Sequence, residues 1–329
     1  MLLAKYIVKR MLYGLIVLIA VSFFSFLIIE LPPGDYVSTY ISNMGSTGMF
    51  IDEQTIIAMR HSYGLDRPMM ERYFLWVSNF VQGNMGVSFT YQKRVENIIA
   101  ERLPLTLLLT SISLILTYSI AIPMAIYAGT HQYSIGDYIT SAISFVGMAT
   151  PDFLLAMIIM WFSYKNFGVS LGGLFSPEFL NQPMSWEKFG DSLKHIPLPI
   201  IVIATTGTAS IIRFFRAVLL DELGKQYVIT ARSKGLKERN LILKYPVRSA
   251  SNPLISSTGW ILPELFSGET IISIVLGLPT LGPVLLTALR GEDMYLAASC
   301  VLIVSSLTVI GMLLSDILLA FFDPRIRFD

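Results

Sequence analysis

The chain has 329 residues, of which 53% are hydrophobic and 14% charged, and its formal net charge is +1. Soluble domains carry about 25% charged residues, so the composition excludes an ordinary soluble domain and indicates an integral membrane protein. A near-neutral total, with the basic residues gathered in one loop, leaves no electrostatic footprint for nucleic acid. The single cysteine, Cys300, excludes an internal disulfide or a cysteine metal cluster.

Residues 1–10 are basic and lead into an apolar run at 11–29. That run is longer than the ~7–15 residues of a signal-peptide core, and it ends in Glu30-Leu31-Pro32-Pro33-Gly34 instead of small residues. It reads as a retained first span. Further runs lie at 104–128, 138–163, 196–212, 254–279 and 296–322, near or above the roughly 20 residues of helix that cross a hydrocarbon core. The expected fold is all-α, with six transmembrane helices. It divides into 1–29 (N-terminus and first helix), 30–103 (an external cap) and 104–329 (a five-helix core carrying a loop at 213–253). The cap mixes polar residues with Tyr63, Tyr73, Phe74, Trp76, Phe80, Phe89 and Tyr91, which predicts short helices packed at the membrane surface. A second external segment runs from Tyr164 to His195, with Gly172, Gly173, Pro177 and Pro183 as turn residues.

The loop from Arg213 to Pro253 gathers Arg213, Arg216, Lys225, Arg232, Lys234, Lys237, Arg239, Lys244 and Arg248, against Asp221, Glu222 and Glu238. Short loops this basic stay on the cytoplasmic side. An even number of spans then puts both termini in the cytoplasm, in agreement with Lys5, Lys9 and Arg10 at one end and Arg325 and Arg327 at the other. Within the loop, Val228, Ile229, Ala231 and Leu236 are interleaved with basic residues, and Gly235 interrupts them. The pattern predicts a helix, a tight turn and a second helix from Glu238 to Tyr245, closed by Pro246. Such a unit docks in a groove on another protein or lies on anionic lipid.

The loop's Tyr227-x-x-x-Ala231-Arg232-Ser233-Lys234-Gly235-Leu236, followed by Lys244-Tyr245-x-x-Arg248 and Pro253, resembles the cytoplasmic loop of ABC-transporter permeases. The likeness is nearest to the B-type permease of the oligopeptide, dipeptide and nickel importer family. Leu65-Asp66-Arg67-Pro68, His195-x-x-x-Pro199, Arg213-x-x-Arg216-Ala217, Gly268-Glu269, Pro279-Thr280-Leu281-Gly282 and Asp323-Pro324-Arg325-Ile326-Arg327 extend it over nearly the whole chain. The resemblance implies a subunit of the prokaryotic plasma (inner) membrane that forms half of an importer pore. It implies a C-type permease as heterodimer partner, two ATP-binding subunits that carry ATP and Mg, and an external substrate-binding protein. The coupling contact to the ATPase then falls on Tyr227, Ala231, Arg232, Lys234, Gly235, Leu236 and Arg248. The external cap either receives the binding protein or lids the pore mouth. Small peptides are the expected cargo, with oligosaccharides as the alternative. Three departures bear on that choice: Pro33-Gly34-Asp35 is followed by Tyr36 instead of proline, Lys244-Tyr245-Pro246 replaces the usual basic-histidine-alanine, and Gly172-Gly173-Leu174-Phe175-Ser176-Pro177-Glu178 looks like permeases of sugar uptake.

Ionisable residues at bilayer depth cost about 2.5–3.5 kcal/mol each even on lenient insertion scales, so each is a functional candidate. Asp152 follows Pro151 near the middle of the third run, where a proline kink is expected. It is either a pore-facing carboxylate or a hydrogen-bonded acid between helices. Glu264 and Glu269 are separated by about 140° around a helix, so they do not share one narrow stripe; both join Asp152 as candidate pore-lining residues. Asp316 is expected to pair with a base at the interface, and at least one of Arg213 and Arg216 to snorkel. No Gly-x-x-x-x-Gly-Lys-[Ser/Thr] phosphate loop occurs, and His61, His131 and His195 fall on different predicted sides, so neither a metal site nor a catalytic constellation is expected and the chain is not itself an enzyme. A channel or a secondary transporter are the rival classes; a secondary transporter typically carries an internal repeat, and none is found.

Overall fold

The computed structural model describes residues 2–31, 34–46, 52–62 and 64–322. Pro33, Tyr63 and the Asp323–Arg327 motif lie outside them. Among the described residues the secondary structure is helical, apart from an isolated bridge between Val87 and Arg94. The helices are α1 (Leu2–Glu30), α2 (Tyr36–Ser46), α3 (Glu53–Ser62), α4 (Met69–Val81), α5 (Val95–Thr130), α6 (Ile135–Ala149), α7 (Asp152–Phe167), α8 (Trp186–His195), α9 (Pro197–Leu223), α10 (Gln226–Ser233), α11 (Glu238–Lys244), α12 (Pro246–Leu276), α13 (Leu281–Arg290) and α14 (Met294–Phe322).

Five stretches of helix are long and apolar enough to cross a membrane: 6–30, 95–130, 186–223, 238–276 and 294–320. The pair α6 and α7 supplies a sixth crossing if taken as one broken span. The protein is thus an all-α, multi-pass membrane protein. The third span departs from the single kinked helix expected over 138–163, because α6 and α7 meet at 101°. Proline disfavours helical backbone in the residue before it, and Thr150 takes the extended conformation, with φ −90° and ψ 117°. Pro151 then leads into α7 as its N-cap. Asp152 is therefore the first residue of a new helix, where the dipole favours a carboxylate, and not a mid-helix residue beside a kink.

Two other boundaries are corrected. The fourth span does not end at residue 212, since α9 continues through Arg213 and Arg216 to Leu223. The fifth span does not begin at residue 254: Pro246, which closes the second loop helix as expected, also stands in the first turn of α12, where its missing N–H has no intrahelical partner to lose. The connection between α9 and α12 is accordingly shorter than 213–253.

One compact unit comprises residues 1–10, 106–279 and 310–329. Helix α9 is its hub, packing against α6, α7, α8 and α12. Small residues permit the close approaches, as in other membrane helices: a Cβ on Gly147 would stand 3.1 Å from that of Ala209. Hydroxyls join the helices as well. Ser113 and Thr117 of α5 donate to the carbonyls of Ile200 and Ala204, each at 3.3 Å, and Ser315 donates to the Ile255 carbonyl at 2.7 Å. Asp316 pairs with Arg10 at 3.2 Å.

The other unit comprises residues 11–105 and 280–309. The short helices expected in the cap are present, and Tyr73 and Trp76 of α4 pack with Phe26, Met294 and Ala298. A second cluster joins Val95, Ile98 and Ile99 to Leu281, Val284 and Cys300. Asp293 is fully buried and accepts from the Ser88 hydroxyl at 2.6 Å and the Thr90 amide at 2.9 Å, which pins the 88–90 turn to the start of α14.

Candidate functional site

Two polar constellations belong to the first unit. The loop constellation is the helix pair α10–α11. Val228 and Ala231, three apart and so on one helix face, bury with Leu241 in a small core flanked by Ile242 and Tyr245. Gly235 turns the chain between the helices at φ +74°. Nothing lies within 4 Å of a Cβ placed there, so glycine is required by backbone conformation and not by space. Arg232 closes the turn, donating through Nε to Glu238 at 3.1 Å and through its terminal nitrogen at 2.5 Å. At the root of the pair, Glu222 at the end of α9 is buried and accepts from the Tyr227 hydroxyl and the Lys225 ammonium. Burial, reinforced by the Glu222 charge, raises the Tyr227 phenol above its ordinary pKa. On the far side, α11 packs on α12.

The expected coupling residues thus divide. Ala231 is buried and builds the helix pair. Arg232 is exposed yet paired across the turn. Tyr227 leans on Glu222 while keeping 39% of its surface exposed, and Leu236 is equally open. Lys234 and Gly235 are exposed at the tip. Arg248 lies outside the pair, exposed near the start of α12. Ile229 and Leu243 are also exposed, so the outer surface is mixed apolar and basic.

The second constellation stands where α7, α9 and α12 meet. Asp152 accepts a hydrogen bond from the Thr206 hydroxyl of α9. Its other carboxylate oxygen lies 3.5 Å from where a Cβ on Gly268 of α12 would sit, so the missing side chain lets α12 approach. Glu264, half-buried, is close enough for its carboxylate to interact electrostatically with that of Asp152. Glu269 is 1% exposed and accepts from the Ser273 hydroxyl at 2.7 Å, one turn along its own helix. The structure therefore brings Asp152 and Glu264 together and turns Glu269 into the protein.

Three polar residues that make these contacts do not stand out in the sequence. Thr206 is one hydroxyl among several in an apolar run. Glu222 sits in a charged stretch with nothing to single it out. Asp137 grips Arg216 in a two-pronged pair, 2.7 Å to Nε and 2.8 Å to the terminal nitrogen, so of Arg213 and Arg216 it is Arg216 that has an acidic partner among the described residues. Ser134-x-x-Asp137 is a capping signature that was available, and Ser134 does accept from the Asp137 amide at 3.2 Å.

Comparison with known proteins agrees with this architecture. Residues 121–328 match the family described as binding-protein-dependent transport system inner membrane component, and residues 2–110 match the N-terminal region of such membrane components. The oligopeptide transport system permease protein of Bacillus subtilis is 32% identical over 99% of this chain and 100% of its own length. A putative peptide permease protein of Brucella ovis is 30% identical over 98% of this chain and 99% of its own. The dipeptide transport system permease protein of Lactococcus lactis is 27% identical over the same shares.

Proposed function

Since the chain belongs to the family of inner membrane components of binding-protein-dependent transport systems, we propose that it forms half of the translocation pore of an ATP-driven peptide importer. The second half would be a permease of related fold. Two ATP-binding subunits supply ATP and Mg chemistry from the cytoplasm, and an external binding protein delivers the cargo. Peptide cargo is supported by the relatives, which include oligopeptide and dipeptide permeases. Both termini and the α10–α11 pair face the cytoplasm in this reading, as the basic loop requires.

The observation that carries the proposal is the α10–α11 pair itself. Its core and its root on Glu222 hold it in shape, while a basic and apolar surface stays open for the ATPase. A body of that stiffness passes a displacement at its tip to α9 and α12, and alternating access follows as these helices rock. Asp152 and Glu264 then face the pathway from the break between α6 and α7.

Reconstitution tests this reading. The chain, co-expressed with its expected partners, should copurify with an ATP-binding subunit. In proteoliposomes it should take up peptide only with ATP inside and binding protein outside. Uptake without ATP hydrolysis would contradict the ATP-driven mechanism, and ATP-driven uptake of oligosaccharide alone would contradict the cargo.

A further inference from the structure

Helix α9 touches the broken third span at two polar points. At the break, Thr206 gives Asp152 a single hydrogen bond. Ten residues later, about 15 Å along the helix, Arg216 holds Asp137 at the head of α6 with two bonds of 2.7 and 2.8 Å. The Asp137 side chain is 4% exposed and that of Arg216 25%. Asp137 also accepts from the Tyr133 amide at 3.0 Å, so its oxygens are engaged on both sides. The planar guanidinium fork fixes orientation as well as distance.

A buried ion pair contributes little net stability compared with well-packed apolar residues, so its use here is geometric. From Thr208 to Leu223, α9 contains neither glycine nor proline, so it passes rigidly from Arg216 to Glu222, the root of the α10–α11 pair. Below the break, α6 runs without proline from Asp137 to Ala149. We infer that Asp137 and Arg216 are positioning residues that clamp α6 to α9, so that movement of the α10–α11 pair reaches the break beside Asp152. The clamp stays closed throughout the cycle, and α6 and α9 move as one body. This rests on the importer reading above.

The test uses the complete reconstituted transporter and measures three quantities: yield of assembled complex, ATP hydrolysis, and peptide transported per ATP hydrolysed. Removing one partner leaves an uncompensated charge and endangers folding, so both are changed together. In D137N/R216Q, ATP hydrolysis should persist while transport per ATP falls by about tenfold, within the range of ordinary coupling free energies. A second variant, D137C/R216C in a Cys300→Ala background, should show the same loss when reduced and regain transport after bridging with a short bis-thiol reagent. Unchanged transport per ATP in either assembled variant overturns the clamp. So does arrest on bridging, which would mean that the contact must open. Failure of both variants to assemble would assign the pair to folding alone. If the unaltered complex shows no ATP-dependent uptake, the importer reading falls, and the clamp with it.

Discussion

The α10–α11 pair and the break between α6 and α7 treat charge in opposite ways. In the loop, charges are answered by charges: Arg232 by Glu238, and Lys225 by Glu222. At the break, the acid Asp152 is answered by the hydroxyl of Thr206. An ion pair cancels charge and fixes shape, so the loop becomes a stiff body whose remaining lysines and apolar side chains are free for a partner. A hydroxyl orients a carboxylate without cancelling it, which suits Asp152 to the pathway-facing role proposed above. In the importer proposed above, the first region would transmit force and the second would meet cargo.

That contrast can be broken at either end. The largest effect is expected from Leu241→Ala, which empties the small core of the helix pair at a cost of about 2–5 kcal/mol. The variant should insert in the membrane normally yet lose both ATPase copurification and ATP-dependent uptake. Next, Gly235→Val forces a branched side chain into left-handed backbone, which disfavours residues with a Cβ by roughly 1–2 kcal/mol. Transport and stimulated ATP hydrolysis should fall together, whereas Gly235→Asn, a residue that tolerates this conformation, should keep most of both. If the two variants behave alike, backbone conformation is not what Gly235 supplies.

A subtler change sharpens the other end. Asp152→Asn keeps an acceptor for Thr206 and removes the charge, so assembly should be normal while uptake of cationic peptides declines relative to neutral ones. Glu269→Gln, at a buried site, should lower stability in detergent and leave that preference alone; a shift in preference would place Glu269 on the pathway. The smallest effect belongs to Arg232→Gln, because exposed ion pairs contribute little. Copurification with the ATPase should be nearly unchanged, and a large loss would make Arg232 a docking residue in its own right.

Much of this was legible in the sequence because it is local. The composition of the basic loop predicts a side of the membrane, and Gly235 is the glycine that parts its two apolar clusters. Helix ends were less legible. Hydropathy marks where oil stops and not where hydrogen bonding stops, so the fourth span was cut at residue 212 although α9 runs on to Leu223. Pro151 disfavours helical backbone at Thr150, but the 101° angle at which α6 and α7 meet cannot be read from that residue type. Helix α13 is apolar but only 10 residues long, too short to read as a span. The Asp137–Arg216 pair joins residues 79 apart, and nothing near either one names the other. Thr206 was hidden for the same reason: its role exists only because α7 begins beside it.

The central claim is that the α10–α11 tip faces the cytoplasm and bears on an ATP-binding subunit. Lys234 is exposed at that tip, and the chain's own thiol, Cys300, is buried and removable. A Lys234→Cys variant in a Cys300→Ala background, probed in intact cells, tests the claim most directly. It should resist a membrane-impermeant thiol reagent until the cells are permeabilised, and a short heterobifunctional reagent should then join it to the ATP-binding subunit. Labelling from outside intact cells, or an accessible thiol that never cross-links to the ATPase in the assembled complex, would contradict the account.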